Sequence, residues 1–244
     1  MVKESWDEIL GILCNSARFP YIPEDLIKYI RKLLREGSQN RFIEALRDNT
    51  ERTMDAVNSM FKTASEITGH RSDELLKRTD FNYRDMDPSR IESAFAEIRS
   101  INWLHTEGFV GIKPLSARSK RTADIIAKRR NNYYAIEVVN SIYDARDRFT
   151  PEELKDWLLG RLLGDKKSVQ LDTTAAELKN ARRVFIGIVD TNEPVIFQTH
   201  EGFFTAAKLA WKAAGGDPKL HICFVTGRQA VGYGRDDSVF PDWE

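Results

Sequence analysis

The stretch from Thr122 to Ser141, TADIIAKRRNNYYAIEVVNS, constrains the fold most, because it predicts a β-hairpin. Two runs rich in apolar, β-branched and aromatic residues flank the polar turn KRRNN, a pattern that is typical of paired antiparallel strands. Directly opposed residues in such a hairpin have a constant sum of sequence positions. A turn centred between Arg130 and Asn131 therefore places Asp124 opposite Glu137, with Cβ atoms about 4.5 to 5.5 Å apart.

The relation between the two acids depends on the length of the turn. A turn centred on Asn131 and Asn132 keeps both acids on one face as diagonal neighbours, whereas a loop of odd length separates them. Two close carboxylates resist joint ionisation unless a cation lies between them. Mg²⁺ is the cation that such a pair favours, because it binds through one or two carboxylates and keeps waters for a substrate phosphate.

Apolar neighbours favour a functional interpretation of these acids. The alternative is that Asp124 and Glu137 pair with nearby Arg and Lys side chains on a solvated face of the sheet. Aspartate is depleted in strands, yet Asp124 is followed by two isoleucines, and Glu137 stands between Ile136 and Val138 in a run that is typical of a central strand.

The chain divides into two parts by its hydrophobic periodicity. In residues 1–84, apolar residues recur every three or four positions, which predicts an all-helical module. Within it, Pro23 is expected to open a helix, Gly37 to close that helix, and Ser72 to cap a later one. The polar run NYRDMDPS then predicts a boundary, so that residues 85–244 form the second domain.

Residues 85–244 predict an α/β fold. A helix that begins at Asp87 and Pro88 and ends at Gly108 precedes three strand-like runs, FVGIKPLSA, TADIIAKR and YYAIEVVNS. A long helical region, with Gly164 as a candidate break, is followed by the apolar strands RVFIGIVD and LHICFVTG on either side of another helix. The order αβββαβαβ predicts a mixed sheet, because short turns give antiparallel neighbours and helical crossovers give parallel ones.

Charge and composition leave room for a local nucleic-acid site. The 244 residues contain 37 basic and 37 acidic side chains, so a nucleic-acid partner must be met by a local patch. Asp124 is the single acid in the most basic stretch, which contains Lys113, Arg118, Lys120, Arg121, Lys128, Arg129 and Arg130. No apolar run reaches a membrane span of about 18 residues, and no signal peptide is apparent, so we expect a cytoplasmic protein that does not bind membranes.

The element order, with an aspartate near the start of the second strand and a glutamate between apolar residues in the third, resembles the PD-(D/E)XK, or restriction-endonuclease-like, nucleases. The resemblance covers residues 87 to about 227. It implies a metal-dependent endonuclease that hydrolyses phosphodiester bonds, with DNA as its polymer. It also implies Mg²⁺ or Mn²⁺ held by Asp124, Glu137 and the carbonyl of Val138, with Glu97 as the acid of the first helix.

One position departs from the family pattern. The family usually has a lysine two residues after the glutamate, and this chain has Val139. Some members supply the lysine from the following helix, and GDKKSVQL resembles their Lys-x-x-Gln-Leu pattern, which Lys167 and Gln170 match. Periodicity leaves Lys166 and Lys167 both open as the catalytic lysine, with a narrow preference for Lys167.

The predicted nucleic-acid contacts surround the acids in sequence. They are Lys120, Arg121, Lys128, Arg129, Arg130 and Gln170. The valine at position 139 keeps two alternatives open: a catalytically inactive DNA-binding or assembly subunit with a nuclease fold, and a ligand sensor. The N-terminal helices carry little net charge and are expected to form a homodimer or to bind a protein partner.

Overall fold

The computed structural model describes residues 5–13, 17–36, 41–116, 122–142, 150–162, 165–179, 181–190, 196–226 and 239–240. The chain forms two compact units, Met1–Ile98 and Arg99–Glu244. The division falls inside a helix that begins at Pro88, and it lies 14 residues after the boundary that the sequence predicted between residues 84 and 85. Within the described ranges, no helix is long and apolar enough to cross a membrane.

The described residues of the N-terminal unit form helices that are joined by turns, and none of these residues is in a strand. Its helices are α1 (Trp6–Leu13), α2 (Glu24–Glu36), α3 (Arg41–Asp48), α4 (Thr50–Thr68), α5 (Ser72–Arg78) and the first part of α6 (Pro88–Thr106). The Pro23 carbonyl accepts the Leu26 N–H at 3.1 Å and opens α2 as predicted, whereas Gly37 lies outside the described residues. The predicted cap is wrong at Ser72, because Arg71 is the N-cap and Ser72 is already helical, with its hydroxyl 3.3 Å from that of Ser65.

The helix α6 begins and ends as its sequence predicts. The Asp87 carboxylate accepts the Ser89 N–H at 2.9 Å and so caps the first turn. At the other end Gly108 adopts a left-handed φ of 81°, which lets the Phe109 N–H reach the Leu104 carbonyl at 3.0 Å. The chain therefore turns sharply from α6 into the first strand.

The C-terminal unit contains a mixed sheet, which confirms the predicted α/β class. Its elements after α6 are β1 (Val110–Pro114), β2 (Ile125–Arg129), β3 (Asn132–Ile142), α7 (Pro151–Leu162), α8 (Asp165–Glu177), β4 (Arg182–Asp190), α9 (Ile196–Ala213), β5 (Leu220–Thr226) and the two-residue β6 (Val239–Phe240). The sheet order is β1-β2-β3-β4-β5-β6. Neighbours are antiparallel from β1 to β3, parallel from β3 to β5, and antiparallel at β6.

The two faces of the sheet are covered differently. On one face Tyr134 is buried and its ring meets Phe109 edge-on, with 5.0 Å between the ring centroids. On the other face, here called the α8 face, Ala135 and Val139 belong to an apolar cluster with residues of α8, β4, α9 and β5. Because side chains alternate along a strand, Glu137 lies on the α8 face between Ala135 and Val139.

The register of the β2–β3 hairpin is the first of the two predicted even-loop registers. The pairs run from Ile125 opposite Ile136 to Arg129 opposite Asn132. The turn is therefore centred between Arg130 and Asn131, and Arg130 has a φ of 52°. The same register places Asp124 opposite Glu137, so the predicted alignment of the two acids is confirmed.

Candidate active site

Asp124 lies immediately before β2, one step beyond the last residue pair of the hairpin ladder. Its carboxylate oxygen Oδ2 accepts the Val138 N–H at 2.8 Å and so takes the place of a strand partner. Its own carbonyl accepts the Leu115 N–H at 2.8 Å. These two hydrogen bonds hold Asp124 between β3 and the segment that follows β1, with its side chain 20% exposed.

Glu137 lies in the middle of the sheet. It pairs with Phe185 of β4 on one side and is fully buried. The oxygen Oε1 accepts a hydrogen bond from Lys167, while Oε2 is buried and has no hydrogen-bond partner among the described residues. A buried carboxylate oxygen without a partner is costly in free energy, and either a proton or a bound cation can offset that cost.

Lys167, near the start of α8, brings the two acids together. Its ammonium contacts Glu137 Oε1, lies 3.3 Å from the Val138 carbonyl oxygen, and lies 3.9 Å from Asp124 Oδ2. The predicted proximity of the two carboxylates is therefore confirmed. The side chain of Lys166, the other lysine left open by the sequence, lies outside the described residues.

Burial and like charge make Glu137 a weak acid. Desolvation, followed by the negative charge of Asp124, raises the pKa of Glu137 to about 8, and the nearby Lys167 ammonium opposes this shift. At neutral pH the buried carboxyl group therefore needs either a proton or a nearby cation. The ammonium of Lys167 shows that this point of the structure accepts a positive charge.

The oxygens around Lys167 fit a hard divalent cation. Two carboxylates and the Val138 carbonyl meet there, and Mg²⁺ is commonly bound through one or two carboxylates with water completing the shell. Among the described residues, no three acidic, histidine or cysteine side chains form a cluster that could hold a metal ion. Glu97, which the resemblance implies as a further ligand, lies half-buried on α6 in the N-terminal unit, and its role stays a prediction.

One face of α8 fixes the backbone that leads into Asp124. Gln170 donates its side-chain N–H to the Thr122 carbonyl at 3.1 Å. One turn later, the Thr174 hydroxyl oxygen accepts the Ala123 N–H at 2.8 Å. Gln170 thus braces the site, and its predicted contact with nucleic acid stays a prediction. Sequence reasoning missed Thr174, although the spacing Lys167, Gln170, Thr174 places all three on one helical face.

The environment of Val139 explains why a lysine does not stand there. Val139 is buried on the α8 face in one apolar cluster with Leu171 and Phe185. A lysine in that cluster would bury an ammonium among aliphatic and aromatic groups, which is strongly unfavourable. Lys167, on the preceding turn of α8, instead contacts the same acids from a position where its side chain is partly exposed.

The basic residues of the hairpin lie toward the turn end of β2, away from the acids, and their predicted contact with nucleic acid stays a prediction. Arg130 lies at the far end of β2, about 20 Å from Asp124 at the usual strand rise of about 3.4 Å per residue. Arg129 donates from Nε to the Glu107 carbonyl at 2.9 Å and lies over the Phe109 ring, so it secures the turn after α6. Lys128 points to the α8 face, with its Nζ 5.7 Å from the Tyr133 ring centroid. Lys120 and Arg121 lie outside the described residues.

Comparison of the chain with protein-family models, with curated proteins and with solved structures finds no match. The arrangement of Asp124 and Glu137 on the sheet with Lys167 on α8 is therefore the feature that bears on function.

Proposed function

We propose that the C-terminal unit is a metal-dependent nuclease of the PD-(D/E)XK type, which hydrolyses phosphodiester bonds in nucleic acid, with DNA as the polymer that the resemblance implies. One observation carries the proposal. The ammonium of Lys167 meets both carboxylates of the candidate site, although α8 follows β3 by more than twenty residues in the chain. This convergence supplies the lysine that is missing at Val139.

Each residue has a distinct task in this proposal. Asp124, Glu137 and the Val138 carbonyl would hold Mg²⁺ or Mn²⁺, which when bound supplies positive charge to the phosphate and lowers the pKa of water. Lys167 orients the attacking water and donates a hydrogen bond to the negative charge that develops on the phosphate. Thr174 and Gln170 keep the Asp124 segment in place.

The decisive experiment compares lysine variants in a cleavage assay. Lys167→Ala should reduce cleavage of plasmid and of single-stranded oligonucleotides by about 100-fold or more, because losing an electrostatic or proton-transfer partner typically costs that much. Lys166→Ala is the matched control, since it removes the same charge from the adjacent position, and it should leave the rate within about twofold of wild type.

Asp124→Asn fixes the background rate of the assay, and circular dichroism confirms that each variant is folded. Equal cleavage by wild type and Lys167→Ala would show that the lysine on α8 has no catalytic role. A larger decrease in the cleavage rate for Lys166→Ala than for Lys167→Ala would assign the catalytic role to Lys166.

A catalytically inactive subunit with the same fold is the second candidate. The specific observation in its favour is that the Lys167 ammonium already neutralises the acids, since a buried ion pair of this kind can be a purely structural feature. In that case wild-type protein cuts no substrate faster than Asp124→Asn, while nucleic-acid binding persists in both.

A further inference from the structure

The first three strands expose a mixed aromatic and basic surface on the face that carries the acids. Val110 pairs with Lys128, and Lys128 pairs with Tyr133, so these three side chains form a row across β1, β2 and β3. Val110 is 57% exposed, Tyr133 is 51% exposed, and Lys113, a few residues along β1, is also exposed. We call these four residues the hairpin platform.

The opposite face of the same strands is buried, so only the face that carries the platform residues is exposed to solvent. Ile112, Ala127 and Tyr134, which alternate with the platform residues, are all buried. On the exposed face, the β-branched Val110 and the aromatic ring of Tyr133 lie on either side of Lys128. The hairpin platform therefore has the character of a binding surface.

Alternation connects the platform to the candidate site. Tyr133, Ala135 and Glu137 are successive side chains on the α8 face of β3. Two steps of about 6.6 Å separate Tyr133 from Glu137, so the distance along the strand is about 13 Å. Ala135 and Glu137 are buried beneath the apolar cluster, whereas on β2 the side chains of Lys128, Ile126 and Asp124 lie on the same face and are each partly exposed. A strand of nucleic acid on the platform can therefore reach Asp124 along β2.

The chemistry of the platform selects the ligand. Lys128 holds its ammonium 5.7 Å from the Tyr133 ring centroid, and Lys113 adds a second positive charge. An exposed aromatic ring beside cations is the arrangement that proteins use for single strands, where bases stack on the ring and phosphates meet the cations. A duplex keeps the faces of its bases stacked inside, so it offers nothing for the Tyr133 ring to stack on.

We propose that the hairpin platform binds a single-stranded segment of nucleic acid, with a base stacked on Tyr133 and phosphates at Lys113 and Lys128. This inference rests on the proposed function, because it takes the polymer that crosses the platform to be the one cleaved at Glu137. It narrows the substrate class to nucleic acid that is single-stranded on at least one side of the scissile bond.

The test measures binding in EDTA, so that it does not depend on cleavage. Fluorescein-labelled 15-residue oligo-dT, oligo-U and a duplex of equal length are titrated with the full chain and followed by anisotropy. Tyr133→Ala should weaken single-strand binding about tenfold or more, and Tyr133→Phe should retain it, because stacking needs the ring and not the hydroxyl group. Lys113→Ala and Lys128→Ala should each lower the slope of log affinity against log salt by about 0.7.

Tyr83→Ala is the matched control, because Tyr83 is a partly exposed tyrosine that also lies beneath a lysine, with Lys28 Nζ 5.5 Å from its ring centroid. It should leave single-strand binding unchanged. The inference is overturned if wild type does not bind single strands, if Tyr133→Ala binds them as wild type does, or if it weakens duplex binding equally. It is also overturned if Tyr133→Ala alters self-association in sedimentation but not oligonucleotide binding.

The two proposals fail in different ways. Loss of single-strand binding in Tyr133→Ala together with a wild type that never cleaves would support the platform and contradict the nuclease. Cleavage that depends on Lys167 but not on Tyr133 would support the nuclease and contradict the platform.

Discussion

At the residue scale, the candidate site depends on the burial of one carboxylate. Glu137 lies in the centre of the sheet between β2 and β4, where every strand neighbour is protein and water is excluded. Burial raises its pKa to about 8 although the Lys167 ammonium lies against it. Burying this carboxylate costs free energy, and the cation of the proposed site would offset that cost.

The raised pKa predicts how stability depends on pH in metal-free protein. A carboxyl group whose pKa is higher in the folded state binds more protons there than in the unfolded state, so stability falls as pH rises from about 4.5 toward 8. Glu137→Gln has no such proton to lose. In EDTA, the melting temperature of Glu137→Gln minus that of wild type should therefore increase by about 3 °C or more from pH 5.5 to pH 8.

Thermal unfolding of both proteins across that pH range provides the measurement, with Glu153→Gln as a control at an exposed glutamate of α7. A difference between Glu137→Gln and wild type that stays constant with pH would mean that Glu137 ionises normally.

At the element scale, α8 acts as the support of the site. Its N-terminal turn supplies Lys167, and its next two turns supply Gln170 and Thr174, which hydrogen-bond to the backbone just before Asp124. Leu171 and Ala175 pack into the apolar cluster on the sheet. Thus the packing of one helix fixes the position of Lys167 and also that of the backbone just before Asp124.

This support predicts a specific effect of Thr174→Val. The substitution keeps the shape of the side chain but leaves the buried Ala123 N–H without its acceptor, which should lower the free energy of unfolding by about 1 to 3 kcal/mol. The stabilisation of the protein by Mn²⁺ should also decrease, because Asp124 follows Ala123 directly. Urea unfolding with and without Mn²⁺ measures both effects.

Thr173→Val is the matched control for this prediction, since Thr173 is partly exposed on the neighbouring position of α8. Thr174→Ser should restore wild-type behaviour because it keeps the hydroxyl group. Equal stabilities for Thr174→Val and Thr173→Val would contradict the supporting role of the hydrogen bond.

At the scale of the whole molecule, the chain separates a helical unit from a unit with the candidate site. The oxygens of Asp124, Glu137 and Val138 all belong to Arg99–Glu244, and the helices α1 to α5 belong to Met1–Ile98. A ligand that binds the folded form of one unit protects that unit by mass action. The two units should therefore respond differently to metal.

Hydrogen–deuterium exchange tests this difference. Mn²⁺ should slow exchange in peptides that cover β2, β3 and α8, and should leave peptides from α2 and α4 unchanged. Asp124→Asn should remove the protection. Uniform slowing over both units, or protection that persists in Asp124→Asn, would contradict a metal site at these acids.

The sequence by itself determined the features that depend on short-range geometry. With a turn of even length, the period of two along β2 and β3 was enough to place Asp124 and Glu137 on one face. The structure then chose between the two possible turn centres and set the acids directly opposite each other. The order of strands and helices as far as β5 followed from hydrophobic periodicity, whereas the two-residue β6 was not predicted. The role of the acids in catalysis and the family resemblance stay predictions.

The tertiary structure decided which side chains meet these acids. Lys167 reaches the acids because α8 packs on the sheet, and no local spacing specifies where a helix will rest on a sheet. Arg129 and Arg130 are close to Asp124 in the sequence, but an extended strand carries them about 17 and 20 Å away, since each residue advances the chain by about 3.4 Å. Residues that are near each other in sequence stay close in space within a turn, but they are separated along an extended strand.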